Sequence, residues 1–152
     1  AALAPNTSMR YECRWVHLRH EGSGNCLFTA GIRRGEVLSM PVAHAEGRFI
    51  LPREVEGELL RKLYDNDQLV LRYCDGEGRY AEGEYPTNPN GSLHDIAAIC
   101  NPEGNVFGLM PHPERAYHGW RLPDWTARPR LPRYGDGRHI FESMVKRLTE
   151  QV

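Results

Sequence analysis

Five segments of the chain combine apolar, β-branched and aromatic residues in a pattern typical of β-strands. They cover residues 9–20, 35–44, 68–74, 96–100 and 106–110. The last two are separated by Asn101-Pro-Glu-Gly104, a run of turn-forming residues that predicts a hairpin. Residues 84–92 are rich in Pro, Asn and Gly, and therefore predict a loop without regular structure.

Two segments have helical spacing of their apolar residues. Residues 52–66 begin with a proline and place apolar side chains at Val55, Leu59, Leu60 and Leu63. Residues 140–148 predict a second amphipathic helix at the end of the chain. A strand-rich chain that ends in a helix is typical of the α/β or α+β classes, and its 152 residues predict one domain over residues 1–152.

The composition limits the possible partners. The net charge is −1, which does not favour nucleic acid as a partner. The sequence lacks an apolar run of bilayer length, so we predict no membrane association. The four cysteines are scattered without a Cys-x-x-Cys pair, which favours reduced, mostly buried thiols and a cytoplasmic location.

The clearest chemical feature is His112-Pro-Glu114, which follows an apolar strand. In an extended segment, residues i and i+2 project to the same side, so the imidazole and the carboxylate are expected to meet. A carboxylate beside an imidazole fixes its tautomer and stabilises the imidazolium, as in a nucleophile–base–carboxylate triad. A turn with a solvated glutamate is the simpler interpretation of the tripeptide alone.

Four motifs, in order along the chain, resemble the glutaminase of phosphoribosylformylglycinamidine synthase, a class I (triad) glutamine amidotransferase. The motifs are Cys13-Arg-Trp-Val16, Pro41-Val-Ala-His-Ala-Glu-Gly-Arg-Phe49, Tyr85-Pro-Thr-Asn-Pro-Asn-Gly-Ser92 with Asp95-Ile-Ala-Ala-Ile99, and Met110-Pro-His-Pro-Glu-Arg115. The resemblance implies a flavodoxin-like α/β fold with a largely parallel sheet, and a purine-biosynthetic enzyme that hydrolyses L-glutamine to supply ammonia to an ATP-dependent synthetase.

The resemblance also implies roles for individual residues. His112 would be the general base and Glu114 would orient it. His44, Glu46 and Asn88 would line the glutamine pocket or face the synthetase subunit. Ala45 stands where the family usually has glycine, which matters only if that position needs a positive φ. ATP and magnesium would bind to the synthetase, and this chain would hold no cofactor.

The cysteine nucleophile of the family is absent. It lies in a Gly-x-Cys-Asn-Gly-x-Gln turn, and no such run occurs here. The chain is therefore expected to lack the N-terminal strands and the nucleophile elbow, to be inactive alone, and to need self-association or a missing N-terminal segment. Among its cysteines, Cys26 is the least unfavourable substitute because it follows a glycine-rich loop. The alternative function is a non-catalytic binding or regulatory module on the same scaffold.

Two further features carry weaker expectations. His17 and His20 lie three apart on a predicted strand, so they face opposite sides and we predict no metal site. Residues 116–137 hold Trp120, Trp125 and several arginines in a long surface excursion. Tryptophan and arginine are enriched at interface hot spots, but an arginine-rich loop packed along its own domain is the simpler interpretation.

Overall fold

The chain folds around a curled five-stranded sheet that carries helices on its two sides. The computed structural model describes residues 1–149. The strands, numbered along the chain, are β1 (Ala2–Ala4), β2 (Glu12–His20), β3 (Val37–His44), β4 (Arg48–Ile50), β5 (Leu69–Cys74), β6 (Ile96–Cys100) and β7 (Phe107–Leu109). The α-helices are α1 (Glu56–Asp65) and α2 (Arg138–Thr149). All five predicted strands and both predicted helices are confirmed.

The main sheet has the order β3-β2-β5-β6-β7, and all its neighbouring strands are antiparallel. The α/β class is confirmed, but the parallel pairing implied by the family resemblance is not found between any two strands of residues 1–149. β3 and β5 run in the same direction, and the chain crosses from one to the other through α1. They do not pair with each other, because β2 lies between them. The hairpin of β6 and β7 extends the antiparallel order to one edge.

Strands β1 and β4 form a separate two-stranded ribbon that the sequence pattern did not predict. Each has three residues, which is too short for an alternation of apolar and polar positions to be detected. An apolar groove of about 380 Å³ lies between this ribbon and the ends of β6 and β7. Leu3, Phe49, Ile96, Leu109 and Met110 are among the side chains that line it.

Two apolar clusters form the core. Leu59, Leu60 and Leu63 of α1 pack against a cluster that contains Phe49 and Ile96. The larger cluster joins the inner positions of β2, β3 and β5 to the loop at residues 26–32 and to α2. Neither α-helix within residues 1–149 is long and apolar enough to cross a membrane.

The curl of the sheet brings its two edges together. β3 is one edge strand and β7 is the other, yet the backbone N–H of His112, three residues after β7, donates to the carbonyl oxygen of Pro41 in β3 at 2.8 Å. The short 3-10 turn at Pro113–Ala116 follows directly and packs against β3. The candidate site therefore lies where the two ends of the sheet meet.

Gly119 allows the backbone at the start of the excursion, residues 117–134, to lie against the backbone at its end. A Cβ atom at this position would lie 1.7 Å from the carbonyl oxygen of Pro132. We predict that Gly119→Ala lowers the free energy of unfolding by about 1–3 kcal/mol, since backbone must shift to accommodate the methyl group. Urea-induced unfolding measures this change.

Gly57, in α1, is the matched control because a Cβ atom there would meet nothing within 4 Å. Gly57→Ala should raise the free energy of unfolding by about 0.5–1 kcal/mol, because alanine loses less backbone entropy in a helix. Equal stability of Gly119→Ala and the unmodified chain would contradict the close approach.

His20 should make stability depend on pH. Its ring is 1% exposed, Nδ1 lies 3.3 Å from the carbonyl oxygen of Arg33, and Nε2 has no partner within residues 1–149. Burial lowers the pKa of His20 below its ordinary value of 6.5, and burial also lowers the pKa of His44. A histidine with a lowered folded-state pKa binds its proton more tightly in the unfolded chain, so protonation favours unfolding. His20 therefore does not reduce the free energy of unfolding above about pH 6.5, and reduces it increasingly as the pH falls below that value.

We expect His20→Gln to flatten the decrease in unfolding free energy between about pH 7.5 and 5.5. Urea unfolding across that range measures the slope. His17→Gln is the control, because His17 lies exposed on the opposite face of the same strand. An unchanged slope in His20→Gln would exclude a lowered pKa for His20.

Candidate active site

The segment that carries His112 and Glu114 changes from extended to 3-10 backbone between the two residues. β7 ends at Leu109, His112 has φ −104° and ψ 91°, and the turn at Pro113–Ala116 begins at the next residue. The two side chains do meet, as predicted, but the expected geometry was wrong. They are brought together by the turn rather than by the alternation of a continuing strand.

The imidazole of His112 and the carboxylate of Glu114 form a hydrogen bond. His112 Nδ1 lies 2.8 Å from Glu114 Oε1. A carboxylate can only accept, so Nδ1 carries the proton and Nε2 of the neutral ring is left with a free lone pair. His112 is partly exposed and Glu114 is more exposed. This arrangement is that of a base whose second nitrogen can take a proton from a nucleophile.

Two backbone contacts hold the imidazole in place. One is the bond of 2.8 Å from His112 N–H to the Pro41 carbonyl, and the other runs from Arg115 N–H to the His112 carbonyl at 3.2 Å. Ala116, at the end of the turn, is fully buried in the main cluster. Both ends of the short segment are thereby attached to the fold, so the orientation of the pair does not depend on a free loop.

His44 lies buried at the end of β3, behind the pair. Asn6 uses its amide nitrogen to donate to the carbonyl oxygens of Arg10 and His44, at 2.8 and 2.9 Å. Its oxygen therefore accepts from His44 Nδ1 at 3.1 Å, and Nε2 faces the Asn90 amide at 3.4 Å. Burial is the main cause that lowers the pKa of His44, and the charge of the nearby His112 lowers it further. His44 is thus a neutral, internally bonded residue.

Gly47 explains the glycine in the segment His44-Ala-Glu-Gly47. A Cβ atom at Gly47 would lie 2.4 Å from Nδ1 of His44, so the ring and the backbone could not approach as they do. Ala45 does not have a positive φ, so alanine causes no backbone strain where the family usually has glycine. Glu46 is exposed at the tip of this turn.

Asn88 is 1% exposed and is bonded on both sides of its amide. Its nitrogen donates to the Ser92 carbonyl and to Asp95 Oδ1, each at 2.9 Å, and its oxygen accepts from Gly91 N–H at 2.9 Å. Asp95 also accepts from the N–H groups of Glu82 and Gly83. These contacts organise the Pro/Asn/Gly loop, and a direct contact between Asn88 and a ligand stays a prediction.

Sequence reasoning missed three residues around His44. Asn6, Asn90 and Tyr73 are fully buried, and Asn90 bonds to the Tyr73 hydroxyl at 3.2 Å and to the Gly47 carbonyl at 2.8 Å. Asn90 lies within a motif quoted for the family, but its turn-rich surroundings indicated an exposed loop. Asn6 has no local signal, because its role depends on a contact 38 residues away.

The four cysteines are free thiols with poor prospects as nucleophiles. Cys26, the residue expected to be most accessible, is 1% exposed, and burial raises the pKa of its thiol. Burial raises the pKa of Cys74 to about 12, with Asp75 adding to the rise, and raises the pKa of Cys100 to about 12. Cys13 is exposed on β2. Exposure therefore does not favour Cys26 as the substitute nucleophile, since Cys26 is buried and Cys13 is exposed.

No group of three His, Cys, Asp or Glu side chains within residues 1–149 is arranged to hold a metal ion. On β2, His17 is exposed and His20 is buried, which confirms that they face opposite sides. The absence of a metal and of a cofactor in the functional protein stays a prediction.

Residues 1–147 match the family model described as a CobB/CobQ-like glutamine amidotransferase domain. Similar curated proteins include phosphoribosylformylglycinamidine synthase subunit PurQ of Methanothrix thermoacetophila, 44% identical over 99% of this chain and 58% of that protein. The subunit PurQ of Archaeoglobus fulgidus is 49% identical over 95% of this chain and 49% of that protein.

The fold is similar to that of a chain in the solved structure titled "Structure of PurLQS from Thermotoga maritima". The TM-score is 0.67 at 32% identity, over 97% of this chain and 52% of that one. The chain spans about half the length of the curated relatives it matches. The family resemblance predicted from the four motifs is confirmed: this chain belongs to the CobB/CobQ-like glutamine amidotransferase domain family, and the similar curated proteins described above are PurQ subunits of phosphoribosylformylglycinamidine synthase.

Proposed function

We propose that this chain supplies the base and its orienting carboxylate to a glutaminase that feeds ammonia to an ATP-dependent synthetase in purine biosynthesis. The observation that carries the proposal is the bond of 2.8 Å between His112 Nδ1 and Glu114 Oε1, which leaves Nε2 free to accept a proton. Membership of the glutamine amidotransferase family and the PurQ names of the relatives support it. A cytoplasmic location remains part of the proposal.

In the proposed reaction, His112 Nε2 accepts the proton of a cysteine thiol, and the thiolate attacks the side-chain amide of L-glutamine. The tetrahedral oxyanion collapses to a thioester, and the imidazolium returns the proton to the leaving ammonia. Water, deprotonated by the same imidazole, then releases glutamate and the thiol. Glu114 stabilises the imidazolium in both halves of the cycle.

The thiol in this scheme lies outside these 152 residues. Three of the four cysteines are buried and have raised thiol pKa values, and Cys13 lies within a strand rather than in a turn before a helix. None carries the Gly-x-Cys-Asn-Gly surroundings of the family. In this scheme the chain would be inactive on its own, because none of its own cysteines serves as the nucleophile.

The pocket and partners follow from the same proposal. The exposed Glu46 would contact glutamine or the synthetase, while His44 and Asn88 would support the wall behind it. The PurLQS title of the similar solved structure supports a synthetase subunit as partner, where ATP and magnesium would bind. Self-association, or a segment outside these residues, would cover the apolar groove beside β6 and β7.

A glutaminase assay tests the proposal. We expect no glutamate from the chain alone, and activity when it is fused behind the part of the Archaeoglobus fulgidus relative that it does not match. In the fusion, His112→Ala should lower kcat about 10²–10⁴-fold. Glu114→Gln should also lower kcat, because an amide nitrogen facing Nδ1 favours the wrong tautomer, and Glu114→Asp should retain more activity.

Glu77→Gln is the control for the loss of a carboxylate, since Glu77 is exposed in a distant turn and pairs only with Arg79 at 3.1 Å within the described residues. Activity of the chain alone that disappears on mutation of one of its cysteines would refute the missing nucleophile. A folded but inactive fusion would favour a non-catalytic binding or regulatory module.

A further inference from the structure

The excursion between the catalytic turn and α2 exposes large apolar side chains. Trp120 is 54% exposed, Trp125 49% and Leu131 38%. We call residues 118–133 the Trp/Arg loop. From residue 120 to residue 133 only Leu122 is not exposed, so the loop presents most of its side chains to solvent. Tryptophan and arginine are enriched at the hot spots of protein–protein interfaces.

The Trp/Arg loop is held in a defined shape. Backbone bonds close its base, from Gly119 N–H to the Arg133 carbonyl at 3.2 Å and from Gly135 N–H to the Tyr117 carbonyl at 2.9 Å. The ring of Trp120 stacks on that of His118, with centroids 4.0 Å apart and planes 10° from parallel. A surface that is ordered before binding loses less entropy when a partner docks.

The charge of the Trp/Arg loop is positive and largely uncompensated. It contains four arginines and one aspartate, and Asp124 is already paired with Arg128 at 2.9 Å. Within residues 1–149, no ion pair or hydrogen bond engages the guanidinium groups of Arg121 and Arg130. Exposed guanidinium groups beside apolar rings suit a partner that offers carboxylates around an apolar pocket.

The Trp/Arg loop also lies next to the candidate site. It begins two residues after the turn that carries Glu114, and the chain returns to that turn where Gly137 N–H donates to the Ala116 carbonyl at 3.1 Å. A protein docked on the loop would therefore be adjacent to His112. This is where an acceptor of released ammonia has to be, since free ammonia is otherwise lost to water.

We propose that the Trp/Arg loop is the docking surface for a second protein whose contact face has an apolar pocket rimmed by acidic side chains. The inference rests on the proposed function in one respect: that protein is the synthetase that receives the ammonia. A second copy of this chain fits less well, because a two-fold contact would bring arginine against arginine. Nucleic acid fits less well because the whole chain has a net charge of −1.

Two pairs of substitutions test the docking surface in the 152-residue chain, with binding to the isolated cognate synthetase subunit measured by biolayer interferometry. Trp120→Ser with Trp125→Ser should weaken binding roughly 30-fold or more, as for hot-spot residues. Arg121→Glu with Arg130→Glu should weaken binding about tenfold at low salt and reduce its salt dependence. Tyr64→Ser with Arg61→Glu on α1 should leave binding within about twofold, since only contact residues are expected to matter.

Four results would overturn the inference. Three of them are unchanged affinity of both loop variants, no binding by the unmodified chain, and binding of a single-stranded oligonucleotide in preference to the synthetase. Loss of self-association on sedimentation, with synthetase binding intact, would assign the loop to a second copy instead and would equally refute it. Circular dichroism and urea unfolding confirm that each variant is folded. The binding result is independent of glutaminase activity, so it can fail while the base role of His112 stands, or the reverse.

Discussion

One backbone hydrogen bond determines where the chemistry of this chain lies. The N–H of His112 donates to the carbonyl of Pro41, and this contact joins the segment after one edge strand to the opposite edge of the sheet. The contact keeps the residues after β7 attached where the two edges of the curled sheet meet. The 3-10 turn packs on β3 there, and the imidazole of His112 lies within hydrogen-bonding distance of Glu114.

The surroundings of the pair add rigidity through a buried polar network. Asn6 near the N-terminus, His44 at the end of β3 and Asn90 in the Pro/Asn/Gly loop come from three distant parts of the sequence and satisfy one another inside the protein. Gly47 is required because its backbone runs against the His44 ring. Such a network supports a unique arrangement because an unmade bond in this interior costs more than an exposed one.

Local sequence patterns predicted the elements that have a clear period, and long-range contacts decided the rest. The helical spacing of Leu59 and Leu63 predicted α1, and the turn at residues 101–104 predicted the β6–β7 hairpin. Strands β1 and β4 exist because they pair with each other, which three residues cannot signal.

In the candidate site, the nature of the His112–Glu114 contact was predictable from the residue types, whereas the turn that creates it was not. The sequence also did not predict that the Asn88 amide makes its hydrogen bonds within its own loop, because asparagine in a Pro/Asn/Gly run usually indicates an exposed turn. The exposure of Trp120 and Trp125 was hidden too, because tryptophan in a loop is compatible with packing against the domain.

The central claim is that Glu114 holds His112 in the tautomer that leaves Nε2 free, and the nitrogen chemical shifts of the His112 ring test it most directly. In the ¹⁵N-labelled chain at a pH where the ring is neutral, the account predicts a protonated Nδ1 and an unprotonated Nε2, with a mixture of tautomers in Glu114→Ala. A neutral ring protonated at Nε2 in the unmodified chain, or a spectrum unchanged by Glu114→Ala, would contradict it.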